Sequence, residues 1–377
     1  MLLTETQAMV RDTLRAFAQQ RLWPNAARWD REHHFPREEL RELGALGALG
    51  MVVPEADGGA GSDYMSLALA IEEIAAGDGS TSTIVSVQNS VVCGPLAAFG
   101  DARQKAHYLS PLARGEHLGC FCLTEPQAGS DAAAMTARAG RKGDHYVLNG
   151  IKQFITTGKN ADTAIVFAVT DKSAGKRGIS AFIVETRSPG YTVAHVEEKL
   201  GQRASDTAQI VFDNCEVPIA NRLGDEGEGY RIALSNLEAG RIGIGAQAVG
   251  MARSAFDAAI AYARDRASFG KSLVNHQAVN FRLADMATEI EVARQMVWHA
   301  ATLRDHGMPC LREAAMAKLF ASEMAERVVS AALQVHGGYG YVNDFPIERI
   351  YRDVRVCQIY EGTSDIQRMV IGRDLLR

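Results

Sequence analysis

Between Val279 and Ala300 apolar residues return at intervals that alternate between four and three: Val279, Leu283, Met286, Ile290, Ala293, Val297 and Ala300. A stripe of that period requires a long helix whose seam is covered by other helices, as in an antiparallel bundle. It describes packing and carries no chemistry. The short turn Asp305–Pro309 leads into another long helix, Leu311 to about Val335, stopped by Gly337–Gly338. Helical periodicity begins near Gly227 and persists from there.

The first hundred or so residues also read as helices. Thr4 with Gln7 has the form of a capping box, and Val10, Leu14 and Phe17 follow at helical spacing. Leu67–Ala76 is a second helix, ending near Gly77. Gly79–Gly100 has no charged residue and is expected as a helix buried on most sides. Near Cys120 the character changes. Tyr146–Ile155, Thr163–Thr170, Ile179–Glu185, Tyr191–Val196 and Ala208–Phe212 are short and rich in β-branched or aromatic residues. No long helical pattern separates them, so an antiparallel sheet or barrel is expected. The expected domains are therefore helical (1–117), sheet (118–222) and helical bundle (223–377).

Composition excludes several classes. A net charge of −5 offers no electrostatic support for a nucleic-acid partner. Gly79–Gly100 is long enough to span a bilayer, but Ser, Thr, Gln and Asn fill it and Pro95 interrupts it, so no transmembrane segment is expected. Glu5 and Asp12 come early and no long apolar run follows, so the reading is cytoplasmic. The six cysteines form no C-x-x-C pair, which suits neither zinc nor a disulfide framework, and no metal is expected. Cys120 and Cys122 are expected on one face of a strand, as small apolar fillers. His33–His34 reads as an exposed helix end. There is no G-x-G-x-x-G after a strand, no Walker A loop, no G-x-S-x-G and no H-E-x-x-H.

Six longer strings say more. They are CLTEPQAGSD (Cys122–Asp131), NGIKQFITTG (Asn149–Gly158), GQRASDTAQIVFDNCEVP (Gly201–Pro218), YARDRASFG (Tyr262–Gly270), QVHGGYGY (Gln334–Tyr341) and RDVRVCQIYEGTSDIQR (Arg352–Arg368). In this order and spacing, from about Thr4 to the C-terminus, the chain resembles the acyl-CoA dehydrogenase family, closest to its short-chain and short/branched-chain branches. The fold this implies is an N-terminal α-helical domain, a middle antiparallel β-barrel domain and a C-terminal four-helix bundle (class α+β), which agrees with the periodicity.

The implied activity is FAD-dependent α,β-dehydrogenation of a short- or branched-chain acyl-CoA to the trans-2-enoyl-CoA. Electrons would pass to an electron-transfer flavoprotein. Such chemistry needs a positioned base for a weakly acidic α proton, donors for the thioester oxygen and a hydride acceptor near Cβ. By resemblance the base is Glu361, the β hydride passing to flavin N5. The backbone N–H of Glu361 would bind the thioester oxygen, and Gly362 allows close approach of backbone to substrate. Some branches carry the base at a position corresponding to about Gly240, and glycine cannot serve. Glu238 is a rival on paper. By resemblance Glu238 and Arg241 lie near CoA; otherwise they read as a helical charge pair.

The resemblance also implies flavin contacts at Thr124, Ser130, Phe154, Ile155 and Thr156, with Ser130 touching the CoA side. Arg266, Phe269, Gln277, Gln334 and Gly338 would reach the FAD of a neighbouring subunit, completed by Thr363 and Asp365. Shared cofactor contacts imply a homotetramer, a dimer of dimers. Gln127 stands where the family most often has Gly, and no role is transferred to it. Asp131, Arg203 and Asp206 read as structural. The acyl-pocket floor is expected from Gly79–Gly100 and Leu234–Ala239, with Ser86, Gln88, Asn89 and Ser90 facing either the acyl tail or the protein. Two other readings stand beside this one: an oxygen-using acyl-CoA oxidase with the same base, and a flavin-free scaffold of the same fold.

Overall fold

A computed structural model describes residues 2–376. The N-terminal part holds α1 (Glu5–Phe17), α2 (Trp23–Glu32), α3 (Arg37–Ala45), α4 (Tyr64–Gly77), α5 (Gly79–Val87) and α6 (Gly94–Phe99). Two short turns of helix follow, α7 (Ala102–Gln104) and α8 (Ser110–Ala113). The capping box is formed: the Gln7 N–H donates to Thr4 Oγ1 at 3.2 Å and the Thr4 N–H to Gln7 Oε1 at 3.0 Å. Asp63 and Asp78 cap α4 and α5 in the same chemical way, each accepting from a backbone N–H three residues on. The Gly79–Phe99 stretch is long and apolar enough to cross a membrane, but 78% of its most apolar window is buried inside the protein. His33, in a left-handed conformation, ends α2 as expected.

The sheet comprises β1 (Gly119–Cys122), β2 (Arg138–Lys142), β3 (His145–Thr156), β4 (Thr163–Val169), β5 (Ile179–Glu185), β6 (Tyr191–Val196), β7 (Thr207–Pro218) and β8 (Arg222–Leu223). Neighbours run β6-β7-β3-β2-β4-β5-β8, with β1 on β4. Most pairs are antiparallel, as expected, but β1–β4 and the single β2–β4 bridge are parallel. β1 was expected only as the strand that would carry Cys120 and Cys122, and not among the five strand segments read from β-branched and aromatic content. Its four residues are too short for an alternating pattern, and three of them are buried. Cys120 and Cys122 do share a face, their sulfurs 3.9 Å apart.

A small hairpin, β9 (Ala267–Ser268) with β10 (Lys271–Ser272), separates α9 (Gly229–Asp265) from α10 (Gln277–Asp305). Then come α11 (Leu311–His336), α12 (Gly338–Tyr341), α13 (Ile347–Val354) and α14 (Ser364–Leu375). Helices α9, α10 and α11 pack on one another, and α14 packs on α11. Leu283, Met286, Ile290, Ala293, Val297 and Ala300 of the seam are all buried. One apolar cluster contains this seam together with Leu14, Leu22, Ile71 and Ile74 of the N-terminal helices. The two helical regions thus share a core, which period-based reading cannot show. Gly250 is where they touch most closely: a Cβ there would meet the Glu72 carbonyl and lie 2.8 Å from Ala75 Cβ.

Candidate active site

Glu361 lies in the link between α13 and α14, after a turn of 3-10 helix at Arg355–Gln358. It has φ +51°, and the next residue, Gly362, has φ +93°. Two successive left-handed residues bend the chain sharply, and for glutamate that conformation is costly. A Cβ at Gly362 would sit 2.6 Å from Gln367 Nε2, so only glycine fits. The bend sends the Glu361 carboxylate inward. Neither oxygen is in contact with solvent and neither has a hydrogen-bond partner among the described residues. Burial pushes this carboxyl up to about 7, against the opposing pull of Lys318 and then Arg241. Lys318 and Arg241 are themselves buried. A carboxylate without donors, poised near neutrality, is suited to accept a proton.

Gly240 of α9 makes the room: a Cβ there would occupy the place of Glu361 Oε2. The two positions that could carry a base converge on one spot, and here only Glu361 fills it. Glu238 is engaged elsewhere. It accepts from Arg304 at 3.1 Å and from the Cys310 thiol at 2.8 Å. The alternative of a Glu238–Arg241 charge pair is therefore corrected: Arg304, distant in sequence, takes the carboxylate. Arg241 keeps an unpartnered buried Nε and faces Glu361 first and Glu238 second.

A second group of expected residues meets at the sheet. The β3–β7 register shifts between Lys152 and Ile155, and within that bulge Phe154 has φ +58°. The bulge turns Phe154 outward, where it is 62% exposed, unusual for so large an apolar ring. The loop after β1 is pinned beside it: the Gln153 N–H donates to the Thr124 carbonyl at 2.8 Å. Buried beneath that loop, Glu125 accepts from Lys152 Nζ at 2.9 Å, from the Thr136 and Ala137 N–H groups and from Gln127 Nε2. Gln127 thus ties down the loop, donating to Glu125 and to Thr136 Oγ1. An exposed flat ring next to half-buried Thr156, on a strand tied to the Thr124 carbonyl, fits a planar heterocycle with a polar edge, as a flavin is; Ser130, further along the same loop, is exposed. Ile155 differs: its side chain is buried in the sheet core, leaving only its backbone for such a ligand.

The remaining expected residues form no hydrogen bond with the Glu361 carboxylate. Arg266, Phe269, Gln277, Gln334 and Gly338 are all exposed, Phe269 by 96%. Asp365 is also exposed, within 3.6 Å of Arg368. Thr363 caps α14 through its hydroxyl. Asp206 accepts from the Lys159 N–H and Asn160 Nδ2, and Arg203 donates to the Lys199 carbonyl, both structural as expected; Asp131 is exposed. At the expected pocket floor, Gln88, Asn89 and Ser90 all bond to backbone groups of the protein. Only Ser86 Oγ is buried without a partner.

Several residues escaped sequence reasoning: Lys318, Gln367, and a buried chain of Thr83, Gln202, Gln247 and Tyr360 behind Glu361. One signal was present. Lys318 interrupts a run of small and apolar residues, Ala314 to Ala321, on the inward face of α11. Among the described residues no group of three or more His, Cys, Asp or Glu could hold a metal ion.

Comparison with known proteins identifies the family. Residues 4–116, 120–215 and 227–376 match the family models for the N-terminal, middle and C-terminal domains of acyl-CoA dehydrogenase. The mitochondrial short-chain specific acyl-CoA dehydrogenase of Homo sapiens is 48% identical over 375 residues, 100% of this chain and 91% of that protein. An acyl-CoA dehydrogenase of Bacillus subtilis is 48% identical over 373 residues, 99% of this chain and 98% of that one. Butyryl-CoA dehydrogenase from Megasphaera elsdenii superposes with a TM-score of 0.97 at 42% identity, covering 100% of both chains. A chain solved with the electron transferring flavoprotein of Acidaminococcus fermentans as its subject gives 0.99 at 47% identity, covering 100% of this chain and 99% of that one. On these matches, and on a fold with helical regions flanking a central sheet, the chain belongs to the acyl-CoA dehydrogenase family of FAD-dependent oxidoreductases.

Proposed function

We propose that this enzyme dehydrogenates a short-chain acyl-CoA between Cα and Cβ, with Glu361 as the base. The observation that carries the proposal is the Glu361 carboxylate, shut off from solvent and without a donor. Glu361 removes the α proton, and its own backbone N–H, beside Gly362, faces the thioester oxygen. When bound, FAD supplies the hydride acceptor and relays the electron pair to an electron-transfer flavoprotein, the class of protein named for one of the matched structures. Thr124, Ser130, Phe154, Thr156 and the Ile155 backbone would hold the ring, and Arg241 and Ser130 the CoA side. The short-chain reading is supported by the named relatives, which include short-chain specific acyl-CoA dehydrogenases and a butyryl-CoA dehydrogenase. The enzyme is assigned to the cytoplasm.

The test is an anaerobic titration. Butyryl-CoA is expected to bleach the visible band of the oxidised flavin, and failure of every straight-chain acyl-CoA with a β C–H, from propionyl- to octanoyl-CoA, would sink the proposal. The base must be ionised, so kcat/KM should rise with pH through about 7. A flat profile between pH 6 and 8 would move the base elsewhere. Branched acyl-CoAs belong in the same panel. The match to a prolyl acyl carrier protein oxidase, with a TM-score of 0.94 at 34% identity, keeps an oxygen-using reading open to test. Peroxide released at the turnover rate under air would favour it.

The exposed set Arg266, Phe269, Gln277, Gln334 and Gly338 belongs, in this proposal, to the FAD site of a neighbouring subunit of a homotetramer. A 96% exposed Phe269 is the supporting feature. Light scattering should then report four times the 40.8 kDa chain mass, and a monomer at micromolar concentration would refute it.

A further inference from the structure

The bend that carries Glu361 is held from outside the 3-10 turn by two buried side chains. Gln367 Nε2 donates to the Glu361 carbonyl at 3.2 Å and to the Gly362 carbonyl at 2.9 Å. Lys318 Nζ, from the middle of α11, donates to the same Gly362 carbonyl at 2.7 Å. Lys318 and Gln367 are both fully buried. A buried ammonium is expensive unless it is paired. No ion pair within salt-bridge distance is formed by Lys318 among the described residues; its bonded partner is a single carbonyl, and of the two carboxylates it faces Glu361 acts on it more strongly than Glu323. A neutral donor would hold that carbonyl at lower cost. The charge therefore needs an explanation beyond the hydrogen bond.

We propose that Lys318 is a positioning residue for the reaction: its bond to the Gly362 carbonyl fixes the left-handed Glu361–Gly362 bend, and its charge keeps the donor-free Glu361 carboxylate ionised. This rests on Glu361 being the base. The carbonyls of Glu361 and Gly362 are turned toward Lys318 and Gln367 and held there, which also fixes the plane of the Glu361–Gly362 peptide. The charged and titratable groups around the pair are few. Glu361 faces Lys318 from α11 and Arg241 from α9. Lys318 faces Cys357 of the 3-10 turn, Glu361, Arg241, and Glu323 of its own helix. Arg241 in turn faces Glu238 and Arg373. Burial drives Lys318 down to about 8, so it remains mostly protonated where Glu361 must ionise. Glutamate is thus used at an otherwise prohibitive location, and Arg241 alone remains if Lys318 is neutralised.

Three substitutions in the FAD-loaded enzyme separate the two roles. Lys318→Gln keeps a donor for the carbonyl and removes the charge. Lys318→Met removes both, and Lys318→Arg keeps the charge. The readouts are the pH profile of kcat/KM with butyryl-CoA and the Kd of S-butyl-CoA, a thioether with no carbonyl to bind and no need of a base. Lys318→Gln should move the acidic limb up by about one unit, so that the rate at pH 7 falls about fivefold while the rate well above the limb recovers. Lys318→Met should show the same displacement without full recovery, and Lys318→Arg should leave the limb in place. S-butyl-CoA affinity should change less than about threefold in all. An unmoved limb in Lys318→Gln overturns the proposal. Where Lys318→Met yields no folded enzyme, the Gln and Arg variants still decide it. Glu361→Gln, run alongside, separates the two claims: retained turnover there defeats the base assignment, whereas its loss together with unmoved Lys318 limbs defeats only the role of Lys318.

Discussion

Glu361→Gln should retain FAD and bind acyl-CoA yet lose turnover by about a thousandfold or more, the scale of a lost general base. Glutamine fills the same space beside Gly240 but cannot take a proton. Because both carboxylate oxygens lack donors in the parent enzyme, the substitution breaks no hydrogen bond. Stability should move the other way. The folded enzyme holds this carboxyl at about 7 against an ordinary value of 4.5, because burial penalises the ionised form. The folded state therefore binds the proton more tightly than the unfolded chain, and its stability falls as pH rises from about 4.5 to 7. Removing the charge should make Glu361→Gln more stable than the parent at pH 8, by up to the order of 3 kcal/mol, with little difference at pH 4. Thermal unfolding at the two pH values, beside single-turnover flavin reduction, checks both halves. A variant with near-normal turnover would return attention to Glu238, which would first have to leave Arg304 and Cys310.

The second large effect is expected from Glu125, far from the base. Its carboxylate is buried with the Lys152 ammonium and accepts from Thr136, Ala137 and Gln127 as well. Burial alone would raise it; the Lys152 charge and the backbone donors outweigh burial and hold it down to about 2. Its contribution is thus fully present above about 4.5 and is lost as pH falls toward 2. Glu125→Gln leaves Lys152 buried without a counter-charge, a change that costs about 3–5 kcal/mol. The loop it ties down bears Thr124 and Ser130, so FAD retention should weaken with stability. Denaturant unfolding and the FAD content of purified protein measure the two. The double variant Glu125→Gln/Lys152→Met should recover part of the lost stability, because the stranded ammonium is then gone. A single variant as stable as the parent would show that the pair contributes nothing net.

Much of this site was legible beforehand for reasons that differ by residue. Glu361 is proposed as the base because IYEGTSDIQR resembles a family string; nothing in the neighbouring residues says that its carboxylate is dry. Phe154 was found in the same way, while the bulge that exposes it depends on β7, whose pairing with β3 lies about sixty residues away. The Glu238–Arg241 pairing, reasonable on an isolated helix, lost to Arg304 because α10 brings a cation from 66 positions away. Gln127, left without a role, acquires one only when Thr136 and Glu125 are seen folded around it.

The sequence by itself determined the order of helices, sheet and bundle, because period is a local property that each segment displays alone. It also determined the family and, through it, the carboxylate proposed as the base. The tertiary structure decided what surrounds that carboxylate. Gly240 vacates the space, Arg241 and Lys318 supply charge, and Lys318 and Gln367 hold the bend. Desolvation and charge act through space, and Lys318 stands 44 residues from the carbonyl it holds. The acidity of Glu361 is therefore a property of the packed helices and not of the string that contains it.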